Sequence, residues 1–518
     1  MRFTLSLALA LLTLPLAAQP AGAQPAEDWH LANPASGTPG IALDAAYELL
    51  EGKTPSDVIV AIIDSGVDGE HPDLAPIMWV NEGEIAGNGV DDDGNGYTDD
   101  IHGWSFLGGA DGQNVGAERL EITRLVAACR AMAVPDPECA DYETALDAKV
   151  SEINMQAGNL FPVYEQMKGA DSLLTARFPD TYDRADVTTL DVGGDIEADQ
   201  AKRMLSFLAS QGASFEDLEG FVTYLRSQLD YNLNVDFDPR GIVGDDPMNM
   251  TERYYGNADA SGPDPSHGTG VAGLVAAIRG NEFGIDGIAP NMASGGPVRI
   301  MAVRAVPDGD EYDKDIANAI RYAVDNGARI INMSFGKAYS PGKSVVDEAA
   351  QYAAERGVLL VHAAGNDGKN LANGMNFPTD RTTTGDLVST WMEIGASSSD
   401  MEALAAGFSN YAQEEVDLFA PGAAVKSLAP GGETQVANGT SFAAPVVAGV
   451  AALVMSYFPD LSAEEVRQIL LDSATPMAET MTPQPGSGEA VSFGTLSVTG
   501  GIVNAEAAIR LAMERSGS

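Results

Sequence analysis

The sequence predicts an α/β protein: a doubly wound parallel sheet with helices on both faces, plus a mainly helical insertion. Two observations predict the sheet. Residues 58–63 read VIVAII, a β-branched and aliphatic run with no polar alternation. Such a run is a strand buried on both faces, which means a parallel sheet covered by helices. Similar runs at 299–303, 329–333 and 358–363 alternate with helical patterns at 314–326 and 344–356. A third observation predicts the insertion. Across residues 116–238 glycine thins out and helical periodicity takes over. Leu120, Leu125, Val126, Cys129 and Met132 mark one such stripe, and Leu146, Val150, Ile153, Ala157 and Leu160 another.

In order, residues 1–23 read as a secretory signal peptide: Arg2, an apolar segment at 5–16, then the small residues Ala21, Gly22 and Ala23. No later stretch is read as long and apolar enough to span a membrane, and no cysteine follows the signal to suggest a lipid anchor. Residues 24–40, rich in Pro, Ala and Gly, are expected to form an extended arm before a short helix at 41–50. The α/β region is expected over 41–115 and 239–518. After the insertion come a helix at 271–278 and short strands at 391–396 and 416–419. The apolar run 446–457 and helices at 463–473 and 505–513 follow.

The chain has 518 residues, 45% hydrophobic and 20% charged, with ample length for a large core. Its net charge of −46 argues against nucleic acid as a partner, since phosphates demand a basic surface. It fits a soluble protein that binds cations. Asp91, Asp93 and Asn95 alternate within a glycine-rich loop, followed by Tyr97 with its carbonyl, then Asp99 and Asp100. Hard oxygen donors at this spacing suit calcium, although only the first half of a calcium loop is matched and a solvated acidic turn has the same composition. The two cysteines, Cys129 and Cys139, lie close together in an exported chain, and a local disulfide is expected.

Four polar residues fall at element ends. Asp64 closes the first strand, His267 opens a helix, Asn366 follows the strand at 358–363, and Ser441 opens the apolar helix. Taken singly, each has a plain structural role: turn, helix start, turn, helix cap. Together, the order Asp, His, Ser is one of the known arrangements of an acyl-transfer triad. A serine hydroxyl needs a base to take its proton, and histidine can do so near neutral pH. Aspartate holds the imidazole tautomer and stabilises its charged form. The Asn366 amide and the Ser441 backbone N–H are the candidate donors to a developing oxyanion.

At this point the chain resembles the subtilisin-like serine proteases. Asp64-Ser65-Gly66, His267-Gly268-Thr269, Ala364-Gly365-Asn366 and Gly439-Thr440-Ser441-Phe442-Ala443-Ala444-Pro445 match that family's four motifs. The resemblance covers about residues 41–107 and 254–475. It implies a subtilisin-like fold, an exported serine endopeptidase working through an acyl-enzyme, and protein or peptide substrates. It also implies that Ser334, Phe335 and Gly336 pair with the substrate backbone, with Ala363, Ala364 and Gly365 across the leading pocket. Those small residues suggest room for a large apolar side chain. Subtilisin itself loses about a hundred- to a thousand-fold in rate without its oxyanion asparagine, and a similar loss is expected for Asn366. Bacterial relatives carry a similar acidic loop, which supports structural calcium. Three features depart from the family. Gly270 stands where a second histidine is common. Residues 24–40 are too few for a folded propeptide. The insertion is additional, and is expected to gate the cleft or bind a partner.

Overall fold

The computed structural model describes residues 26–210, 213–292, 295–374 and 376–517. The signal segment at 1–23 lies outside the described residues. Two compact units are present. One comprises Pro25–Glu121 with Asp238–Ser518, the other Ile122–Phe237.

The first unit is built on a nine-stranded sheet. Its strands are β1 (Val58–Asp64), β2 (Gly103–Ser105), β3 (Val298–Arg304), β4 (Ile330–Met333), β5 (Leu359–Ala363), β6 (Trp391–Ser397), β7 (Leu418–Pro421), β10 (Thr475–Pro476) and β13 (Gly501–Ile502). Between the seventh and the last two lie the hairpins β8 (Val425–Ala429) with β9 (Glu433–Ala437), and β11 (Met481–Pro483) with β12 (Ala490–Ser492). The sheet order is β10-β13-β7-β6-β5-β4-β1-β3-β2. All pairings are parallel except β10 against β13 at one edge.

Both faces of the sheet are covered. Alternate residues of β1 enter different cores: Val60 and Ile62 one, Ala61 and Ile63 the other. The first core takes α1 (Leu43–Leu49), α6 (Ser266–Ala276), α9 (Thr440–Tyr457), α10 (Ala463–Asp472) and α11 (Ala505–Ser516). The second takes α7 (Asp313–Asp325) and α8 (Lys343–Glu355). This two-sided burial is why the central strands are apolar throughout.

Two expectations change here. The arm at 24–40 is not extended where it is described: it makes two 3-10 turns, Trp29–Leu31 and Pro34–Ser36. The Trp29 side chain is buried, and its indole N–H donates to the Ala424 carbonyl at 3.0 Å. A Trp that fills a core site and satisfies its N–H pins the segment. Second, α9 is long and apolar enough to cross a membrane by length and composition, but 89% of it is buried inside the protein. It is the central core helix, hydrophobic all round because protein surrounds it.

The second unit is helical: α2 (Glu121–Ala131, whose first residue belongs to the other unit), α3 (Cys139–Arg177), α4 (Ile196–Ser210) and α5 (Phe215–Ser227). Leu146, Ile153, Ala157, Leu160, Tyr164, Met167 and Leu174 form one buried stripe along α3, which packs against α4 and α5. Ser214 and Asp217 form a capping box that starts α5. A Cys129–Cys139 disulfide, with Cα atoms 5.7 Å apart, joins α2 to α3. The unit begins at Ile122 rather than 116, because residues 116–118 pair with Asp308 of the sheet unit.

Candidate active site

Asp64 ends β1 and His267 lies in the first turn of α6. His267 Nδ1 donates to Asp64 Oδ1 at 2.7 Å, and the same oxygen accepts the Ser65 N–H at 2.7 Å. This close approach depends on Gly268. A Cβ there would stand 2.1 Å from the Gly66 carbonyl oxygen and 3.1 Å from the Asp64 Cβ. Asp64 is buried, while the His267 side chain keeps 37% of its surface exposed. Burial works against the imidazolium, but the Asp64 carboxylate outweighs it and raises the His267 pKa above its ordinary 6.5.

Ser441 opens α9 behind Gly439, whose φ of 148° is open to glycine and strained for other residues. Asn366 follows β5, after Gly365 at a φ of 97°. Asn366 Oδ1 accepts from the Thr440 N–H at 2.8 Å and from the Thr440 hydroxyl at 3.0 Å. Thr440 Oγ1 in turn accepts the Gly365 N–H at 3.0 Å. With its oxygen engaged twice, Asn366 keeps Nδ2 for another acceptor. Asp64, His267, Asn366 and Ser441 all line one cavity of about 530 Å³. The cavity lies at the carboxyl ends of the strands, where open α/β sheets place their sites.

Ser334, Phe335 and Gly336 line the same cavity, as do Ala363 and Gly365. Ala364 does not: it is buried behind the surface with Leu404, Ala405 and Phe419. Ser334 Oγ donates to the Ser441 carbonyl at 2.8 Å, joining the backbone wall to the serine turn. Asn376, which the sequence reading passed over, also lines the cavity, and its Nδ2 donates to the Ala363 carbonyl at 3.0 Å. A polar amide therefore stands beside Ala363 in the cavity lining. Only the fold shows this, since Asn376 lies ten residues beyond Asn366 in a segment with no motif.

The acidic loop splits into two sets. Glu84, Asp93 and Asp100 each bring a carboxylate oxygen within 4.8 Å of the others. The Asn81 and Asn95 side-chain amides bond both Asp93 and Asp100. Burial pushes the Asp100 pKa up to about 6. Asp91 accepts the backbone N–H groups of Gly94, Asn95 and Gly96, as Glu84 accepts those of Asp92, Asp93 and Asp99. Asp99 accepts those of Asn88 and Gly89. The Tyr97 ring packs edge-on against Trp104, Phe106 and Tyr322. Glu84 was missed because it precedes the loop and belongs to no spacing pattern within it.

The fold, the His–Asp pair and the nearby serine describe a candidate serine hydrolase. Comparison with known proteins gives the family. The model of the subtilase family matches residues 55–494. Alkaline elastase YaB of Bacillus sp. (strain YaB) is 36% identical over 244 residues, 47% of this chain and 55% of that protein. Subtilisin DY of Bacillus licheniformis is 34% identical over 241 residues, 46% of this chain and 79% of that protein. A solved structure of a cold-adapted subtilisin-like serine proteinase is 26% identical, covering 47% of this chain and 77% of that one at a TM-score of 0.36. The chain belongs to the subtilase family, and it spans about half the length of the first of these relatives.

Proposed function

We propose that this chain is an exported serine endopeptidase in which Asp64, His267 and Ser441 form the triad and Asn366 completes the oxyanion hole. The observation that carries the reading is the 2.7 Å His267 Nδ1–Asp64 Oδ1 hydrogen bond at the cavity that Ser441 and Asn366 also line. Asp64 holds the tautomer in which Nδ1 carries the proton, which leaves Nε2 as the base. His267 takes the Ser441 proton as the serine oxygen attacks the scissile carbonyl. The tetrahedral oxyanion is met by Asn366 Nδ2 and the Ser441 backbone N–H at the start of α9. Return of the proton to the leaving amine gives an acyl-enzyme, and water, activated by the same imidazole, releases the acid.

The same proposal places structural calcium at Glu84, Asp93 and Asp100, with the Asn81 and Asn95 amide oxygens within reach of rotation. The donor set fits: it is all hard oxygen, and crowded carboxylates favour a divalent cation. Bound calcium would neutralise the crowded charge and stiffen the loop. Export is supported by the signal-like segment at 1–23 and by the Cys129–Cys139 disulfide, which belongs in an oxidising compartment.

Peptide hydrolysis by the purified protein and by Ser441→Ala tests the serine mechanism. Hydrolysis is expected to vanish in the variant, and equal turnover by both would contradict the proposal. Chelation is expected to lower the melting temperature of the wild type, with recovery on adding calcium. An unchanged melting curve would remove calcium from the account.

A further inference from the structure

Lys337 is absent from the cavity wall, yet three segments that form the wall meet at it. It directly follows Ser334, Phe335 and Gly336 in the chain. Its ammonium, only 2% exposed, donates to the Glu311 carbonyl at 2.7 Å. Glu311 lines the cavity as well, with Val306 and Gly309. The Lys337 backbone exchanges both hydrogen bonds with Phe377, at 3.1 and 2.9 Å. That holds the third segment, which carries Asn376. A Cβ on Gly336 would lie 2.4 Å from Asn376 Oδ1, so the two walls are already in close contact there.

The ammonium also lies 3.0 Å from Glu121 Oε2 and 3.0 Å from Asp313 Oδ1. A buried cation with two carboxylates and a carbonyl tolerates little displacement, because moving one partner leaves charge uncompensated. Its spacing is therefore imposed on every segment attached to it. Glu121 is the first residue of α2, so the chain is anchored at this ammonium as it leaves for the helical unit.

We infer that Lys337 is a positioning residue that fixes the separation of the cavity walls for extended peptide substrates. The inference rests on the proposed peptidase reading of the cavity. A peptide bound as an added strand must meet both walls at strand spacing, so a shift of either weakens its binding. The reacting groups have further anchors that do not involve Lys337: His267 on β1 and α6, Ser441 and Asn366 through the Thr440 turn. Loss of the ammonium therefore acts on binding of long substrates and spares chemistry at the serine.

The test uses the full chain with Lys337→Met, Lys337→Arg and Glu121→Gln. Each is assayed with a fluorophosphonate, a single amino-acid ester and an extended peptide. For Lys337→Met, the extended-peptide KM is expected to rise roughly ten- to a hundred-fold, within the range of a small misplacement. Its kcat, the ester kinetics and the labelling rate are expected to hold. Lys337→Arg keeps the charge and is expected to restore part of the loss. Glu121→Gln is expected to move KM the same way by less. An unchanged extended-peptide KM would overturn the inference, as would parallel losses on all three reagents. If Lys337→Met does not fold, Glu121→Gln decides by the same criteria. Wild-type protein that neither labels nor hydrolyses would count against the proposed function instead.

Discussion

The sheet unit holds buried clusters of shared charges; the helical unit relies more on exposed pairs. Arg240, at 5% side-chain exposure, bonds Asp245 and Asp315, whose side chains are fully buried. Lys314, 1% exposed, bonds Asp245 again and adds Glu252. In the helical unit, Arg203 pairs with Asp199 one turn away while 78% exposed, and Arg226 meets Glu165 while 50% exposed. Asp171 is an exception there: it is buried and receives Tyr182 and Arg184. The contrast teaches where position matters. Charges fixed by several segments can hold a cavity in shape, whereas surface pairs mainly keep an acidic helical unit solvated.

The largest effect is expected at the His–Asp pair. Asp64→Asn keeps the shape but favours the wrong imidazole tautomer, and should lower kcat about ten-thousand-fold. The pH dependence gives the sign. Activity needs neutral His267, and Asp64 raises its pKa, so wild-type kcat/KM should rise through a midpoint above 6.5. Without the carboxylate that midpoint should move down. An unshifted acid limb would separate Asp64 from the titrating base.

Next come the two kinds of ion pair, compared by denaturant unfolding. Arg240→Met takes the cation from buried Asp315 and leaves Asp245 only Lys314, and is expected to cost about 3–5 kcal/mol. Arg203→Ala is expected to cost less than about 0.5 kcal/mol. Similar costs would erase the distinction between the units.

Much of this fold was legible because its central strands are buried on both sides. Unbroken runs such as 58–63 and 359–363 allow few other readings. The short pieces were not legible. Strand β2 has three residues, and β9 is largely exposed with no apolar alternation. The four candidate catalytic residues stood out because each occupies a local motif at an element end. Glu84, Asn376 and Lys337 did not, since their roles depend on segments that meet only after folding. The acidic loop shows the limit most clearly. Its spacing marked the residues from Asp91 to Asp100, whereas Glu84, which joins Asp93 and Asp100, comes from outside that spacing.

The most direct test of the central claim is to map a fluorophosphonate label by peptide mass spectrometry. The account predicts one stoichiometric adduct on Ser441, lost in Ser441→Ala and strongly slowed in Asp64→Asn. A folded wild-type protein that stays unlabelled, or that labels at another residue, would contradict it.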